Sequence, residues 1–144
     1  MRPALASRAA ALLLLMVVAG AHSPSGPTDA LGRVAQGLEE GDPDMVLSDV
    51  DGRVEIVLFG QGGVFRRAQA AHVLRDFFRR YPPDRVAFSE PSSSDDGQTA
   101  TGRYLPQSGG TPLNVRVLHR VTGEAWELAS IRIDRRSVVR PTGL

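Results

Sequence analysis

Two residues of this chain could exchange a proton if the fold brings them together: His119 and Glu127. They flank the turn signal Thr122-Gly123. If Val121 pairs with Ala125, they meet across a hairpin. A carboxylate beside an imidazole orients the ring and makes an acid–base pair. The same pairing also describes a solvated contact at a strand end, with no chemistry. His72 falls beside the arginine face of a helix and His22 lies in an early polar segment. Three scattered histidines without HxH or HExxH spacing predict no metal site. Asp42, Asp44, Asp49 and Asp51 lack the calcium-loop order and its closing glutamate, and are read as caps and turn formers. Gly60-Gln61-Gly62-Gly63 has no following Lys-Ser/Thr and is no phosphate loop; its glycines are expected to serve a turn. There is no cysteine, and all 17 basic residues are arginine. Thiol catalysis, disulfides, thiolate metal sites and Schiff-base chemistry are therefore excluded. No cofactor is expected.

The same hairpin predicts a set of binding candidates. Pairing Val121 with Ala125 sets Val115 against Ile131, Val117 against Ala129 and Leu113 against Ile133. The alternative, Val121 with Glu124, sets Val115 against Ser130. A one-residue slip sends every side chain to the wrong face, so the apolar match favours the first. That register leaves Asn114, Arg116, Ser130 and Arg132 outside and sets Arg120 opposite Trp126 as a cation–π pair. Arg116, Arg120, Trp126 and Arg132, with Tyr104 from the preceding strand, are the binding candidates. Trp126, Leu118 and Leu128 on that outer side would anchor a homodimer.

These residues need elements to hold them. A first helix is expected from an N-cap at Thr28 or Asp29, with Leu31, Val34, Ala35 and Leu38 on one face. Gly32 and Gly37 weaken it by about 1 kcal/mol each relative to alanine. Gly41 ends it. Asp42-Pro43 opens a short second helix whose apolar side is Met45 and Val46. After the Asp51-Gly52 turn, Val54–Phe59 reads as a strand, and Val64-Phe65 as a short second one. A long helix follows over about Arg67–Arg80, burying Ala70, Val73, Leu74, Phe77, Phe78 and Tyr81. Arg67, Arg75 and Arg79 form its outer face, and Asp76 reaches Arg80 at i+4. Four strands complete the order: Arg85–Glu90, Gln98–Leu105, Leu113–Arg120 and Ala125–Ile133.

Arg2 and Arg8, the apolar run Ala9–Val18 and the Ala19-Gly20-Ala21 pattern predict a signal peptide over residues 1–21, cleaved after Ala21. The run is shorter than the roughly 20 apolar residues needed to span a bilayer. Cleavage takes the formal net charge from +1 to −1, a balance that calls for no nucleic acid and no acidic membrane surface. The expected mature protein is exported, periplasmic or secreted, with no stable membrane insertion. It has a flexible start over 22–27, one domain over 28–134 and a loose tail over 135–144.

Helical pieces, a strand, a turn, a long helix and an antiparallel meander make an α+β order. That order resembles the nuclear transport factor 2-like (cystatin-like) fold, a cone in which a curved antiparallel sheet wraps a long helix and N-terminal helices. More closely, it resembles the exported bacterial family called domain of unknown function 4783. The resemblance runs over about Leu31–Ile133. It rests on Gly60–Phe65, Ala68-Gln69-Ala70, Leu74–Phe78, Pro82-Pro83, Gly102 and Leu128–Ile133. Where the resemblance implies a serine N-cap for the long helix, this chain has Arg66. No activity and no catalytic residues carry over. A cone-type fold with no complete catalytic set points first to a non-catalytic module binding a small ligand or a protein. The alternative is a small cavity enzyme, isomerase- or hydratase-like, using His119 and Glu127. A wrapped helix would also bury two adjacent aromatics, Phe77 towards Val117 and Ile131 and Phe78 towards Val34 and Leu38.

Overall fold

The computed structural model describes residues 26–135. The expected signal peptide and its cleavage site, residues 22–25 and the tail from 136 lie outside the described residues. Helix α1 spans Pro27–Glu40. It begins before Thr28 because Pro27 occupies the first helical position, where its fixed φ suits the helix and no N–H is missed. Gly26 is the N-cap, so the expected flexible start already belongs to the helix at its last two residues. The buried stripe is Ala30, Val34, Gly37 and Leu38, while Leu31 and Ala35 are only half-buried. The stripe is rotated because Gly37 must face α2 (Pro43–Val46). A Cβ there would stand 2.6 Å from the Val46 nitrogen and 2.7 Å from its Cγ2. Gly37 is a helix–helix contact point, not the weakness its propensity suggests. Asp42 caps α2, its Oδ1 accepting from the Asp44 and Met45 amides at 2.9 and 3.2 Å.

Strands β1 (Arg53–Leu58) and β2 (Gln61–Arg66) form a hairpin. Its two-residue turn is Phe59-Gly60, with φ of 54° and 77°, the positive values that match strand twist. Of the three glycines expected in the turn, only Gly60 serves it. Gly62 and Gly63 lie within β2, and a Cβ on Gly62 would collide with the Ile56 carbonyl oxygen. Helix α3 spans Arg67–Arg80, the bounds expected from its periodicity. With Arg66 in place of a serine cap, Gln69 Oε1 accepts from the Arg66 amide at 3.2 Å. The arginine face is exposed, and Asp76 pairs with Arg80 at 3.1 Å.

Strands β3 (Pro83–Phe88), β4 (Ser92–Ser94), β5 (Gly97–Pro106), β6 (Leu113–Thr122) and β7 (Ala125–Arg135) follow. The serine run of β4 has no apolar alternation to announce it; the Asp95-Asp96 turn folds it onto β5. The seven described strands make one curved, open sheet in the order β2-β1-β7-β6-β5-β3, with β4 on β5. Every pair is antiparallel except β1 with β7, which is parallel. β7 reaches Arg135, whose guanidinium lies 4.9 Å from the Phe59 ring centroid.

The last hairpin departs from both expected registers. Thr122 pairs with Ala125 and His119 with Leu128, but Leu118 pairs with Ser130, Val117 with Ile131 and Val115 with Ile133. Ala129 is the extra residue of a β-bulge, which two residues on one strand share against one on the other. Helices α1 and α3 cover one face of the sheet, where Leu74, Phe77, Ile56, Tyr104, Val117, Ile131 and Ile133 pack into one core. No described element covers the other face.

Candidate functional site

Strand alternation and the bulge decide which candidates meet. Beyond the bulge, Arg116 of β6 stands directly opposite Arg132 of β7 and, on its other side, Thr101 of β5. One step along, Asn114 lies between Arg103 and Asp134. All of these point to the uncovered face. With Ala87, Phe88 and Ser89 at the β3 side they line an open groove of about 660 Å³. Arg116 and Arg132 are therefore brought together, as the sequence pattern suggested. Arg103 was missed. Its signal was present in the alternation along β5, but only the β5–β6 register shows that it shares the groove. Arg132 Nη2 lies 3.9 Å from Glu55 Oε1, which also accepts from Ser130 Oγ at 3.0 Å.

The other candidates go elsewhere. Arg120 lines a smaller hollow of about 250 Å³ with Ser92–Ser94, Thr99 and Leu118. Trp126 pairs with Val121 instead of Arg120; it sits on the helix side of the sheet, so the expected cation–π pair is not formed. Tyr104 is fully buried in the core, its hydroxyl donating to the Tyr81 carbonyl. Burial holds that phenol well above its ordinary pKa. Leu128 also faces inward and is buried. Of the three expected dimer anchors, only Leu118 lies on the outer face, half-buried.

His119 and Glu127 do not form a pair. The tight turn, which pairs Thr122 with Ala125, sets His119 opposite Leu128 on the inner face and Glu127 opposite Arg120 on the outer one. Glu127 Oε2 accepts from Thr122 Oγ1 at 3.3 Å. His119 is fully buried, faces Gln98 across β5–β6, and neither ring nitrogen has a hydrogen-bond partner among the described residues. Nearby, Arg33 of α1 holds Asp49 in a two-pronged contact, Nε to Oδ2 at 3.1 Å and Nη2 to Oδ1 at 2.9 Å. Asp49, read from sequence as a turn former, is thus an ion-pair partner.

Burial pushes the His119 imidazole below its ordinary pKa; the Asp49 carboxylate opposes this and Arg33 adds to it. The folded state then binds fewer protons than the unfolded chain. The stability this group contributes is complete above about pH 6.5 and is lost as pH falls towards the lowered folded value. Urea midpoints of wild type and His119→Leu, compared between about pH 7.5 and about pH 5, should show the wild type losing ground. A difference between the two proteins that does not change with pH would exclude a buried neutral imidazole.

This architecture, a curved open sheet over helices, is that of the nuclear transport factor 2-like and cystatin folds. A family model, Domain of unknown function (DUF4783), matches residues 31–134, and the chain belongs to that family. A solved DUF4783 family structure from Bacteroides uniformis is similar at 14% identity and TM-score 0.67, over 74% of this chain and 96% of that one. An NTF2-like protein of unknown function from Shewanella baltica is similar at 13% identity and TM-score 0.60, over 76% and 90%. A cystatin-fold protein from Novosphingobium aromaticivorans is similar at 12% identity and TM-score 0.58, over 77% and 99%. At these identities the likeness carries the fold alone. No curated protein matches the chain.

Proposed function

We propose that this is an exported, non-catalytic binding module whose ligand sits in the outer groove between β3, β5, β6 and β7. One observation supports it: the groove of about 660 Å³ has the size of a small-molecule site and gathers Arg103, Arg116 and Arg132 beside Thr101 and Asn114. The enzymatic alternative relied on a His119–Glu127 pair, which the strand register separates. A homodimer centred on Arg116 and Arg132 would bring four guanidinium groups together across its axis, an unfavourable arrangement for a self-complementary contact. The groove is therefore assigned to a ligand.

An amide NMR screen of the mature chain against a mixed library of neutral, cationic and anionic fragments tests this. Shifts should cluster at Thr101, Arg103, Asn114 and Arg116. Shifts centred on interior amides such as Leu74 and Phe77, with the groove silent, would overturn it.

A further inference from the structure

The groove also carries a sign. Residues directly opposite on neighbouring strands hold their Cβ atoms about 5 Å apart, and like charges so placed destabilise a sheet. Arg116 and Arg132 are such a pair. Arg103, on the next strand and diagonal to Arg116, adds a third guanidinium on the same side. Among the described residues, no carboxylate lies within ion-pair distance of Arg103 or Arg116; the ion pairs formed there are Arg33–Asp49, Arg79–Asp76, Arg80–Asp76 and Arg132–Glu55. Among the described residues, the one acid within ion-pair distance of Arg132 is Glu55 at 3.9 Å, which already accepts from Ser130. Asp134 marks one end of the groove and repels a negative group there. The Thr101 hydroxyl and the Asn114 amide are neutral donors beside the arginines, and Ala87 and Phe88 form an apolar edge.

We infer that the groove takes a compact apolar molecule bearing one oxyanion, a carboxylate or a phosphate, held between Arg116 and Arg132 at the Thr101 end. The guanidinium fork matches both anions, since each offers two oxygens to parallel N–H donors. Binding would turn the repulsion between the two arginines into a shared attraction, so the free protein carries a strain that the ligand relieves. This assignment rests on the outer groove being the binding site.

The probes are benzoate, phenyl phosphate and the neutral benzyl alcohol, titrated into the mature chain and followed by amide NMR. Benzoate or phenyl phosphate should shift Thr101, Asn114 and Arg116, and the tighter of the two tells carboxylate from phosphate. Benzyl alcohol should bind at least about tenfold more weakly, the loss expected when a charge-assisted contact is missing. Arg116→Gln should weaken the anion by about tenfold or more while its melting temperature stays level or rises, because a like-charge contact is removed. Arg120→Gln, outside the groove, should bind as the wild type does. A fall in the Arg116→Gln melting temperature would show a structural role and overturn the inference, as would unchanged binding by that variant. Benzyl alcohol binding as well as the anions would overturn the oxyanion assignment and leave the groove reading standing. Silence with both anions would also overturn the assignment, and the mixed library would then decide the groove itself.

Discussion

Replacing Phe77 by alanine is expected to cost about 3–5 kcal/mol, the range for truncating a core aromatic. Phe77 is 3% exposed and Phe78 7%, so both adjacent rings of α3 are covered, as a wrapped helix requires. The Phe77 ring centroid lies 5.3 Å from those of Tyr81 and Tyr104, 5.7 Å from Phe78 and 6.4 Å from Phe59. These rings come from the β1–β2 turn, α3, its C-terminal end and β5. Removing the central one therefore loosens four segments together. Phe78 lies against the other side, beside Gly41 at the end of α1. The loss is a large part of the roughly 5–15 kcal/mol that a domain has in hand. It corresponds to a fall in melting temperature on the order of 10–20 °C. Thermal and urea melts of Phe77→Ala beside Phe77→Leu measure it. An alanine variant melting within a degree or two of wild type would mean that α3 does not hold the core.

Gly37→Ala should destabilise the protein by about 1–3 kcal/mol, as overpacking does, even though alanine is the better helix former. Gly32→Ala in the same helix should stabilise by about 0.4–1 kcal/mol. The two glycines differ in what a methyl group would meet. At Gly32 nothing lies within 4 Å; at Gly37 the methyl would meet the α2 backbone at 2.6 Å. Backbone cannot rotate away as a side chain can, so α1 and α2 must separate. Urea midpoints of the two variants moving in opposite directions are the expected result. If both rise, the α1–α2 approach is looser than described.

The different surroundings of these two glycines lie beyond what local sequence encodes. Helix propensity assigns Gly32 and Gly37 the same cost, because it knows only the chain's own backbone. The difference between them is Val46, which a turn and a second helix bring into contact. Asp49 illustrates the same limit. Its place after α2 reads as turn chemistry, while its partner Arg33 stands 16 residues earlier on α1.

What the sequence by itself determined here is local. The 3.6-residue stripe set α3 at Arg67–Arg80, and alternation with turn residues placed β1, β5, β6 and β7 within a few residues. The α+β order followed from their succession, and with it the family resemblance. Tertiary structure alone decided which of the candidate residues meet. Ala129 bulges out of β7, and no local preference marks it, because apolar residues face one another in the expected register and in the real one. The two-residue Gly123-Glu124 turn, by pairing Thr122 with Ala125, parts His119 from Glu127 and sets Trp126 and Leu128 inward; the inserted Ala129 then sets Arg116 against Arg132. The parallel pairing of β1 with β7 then brings Glu55 to Ser130 across 75 residues of chain. Pairings of that range are chosen by the packing of the whole sheet against α1 and α3, since which face each strand buries is settled only when the helices cover it.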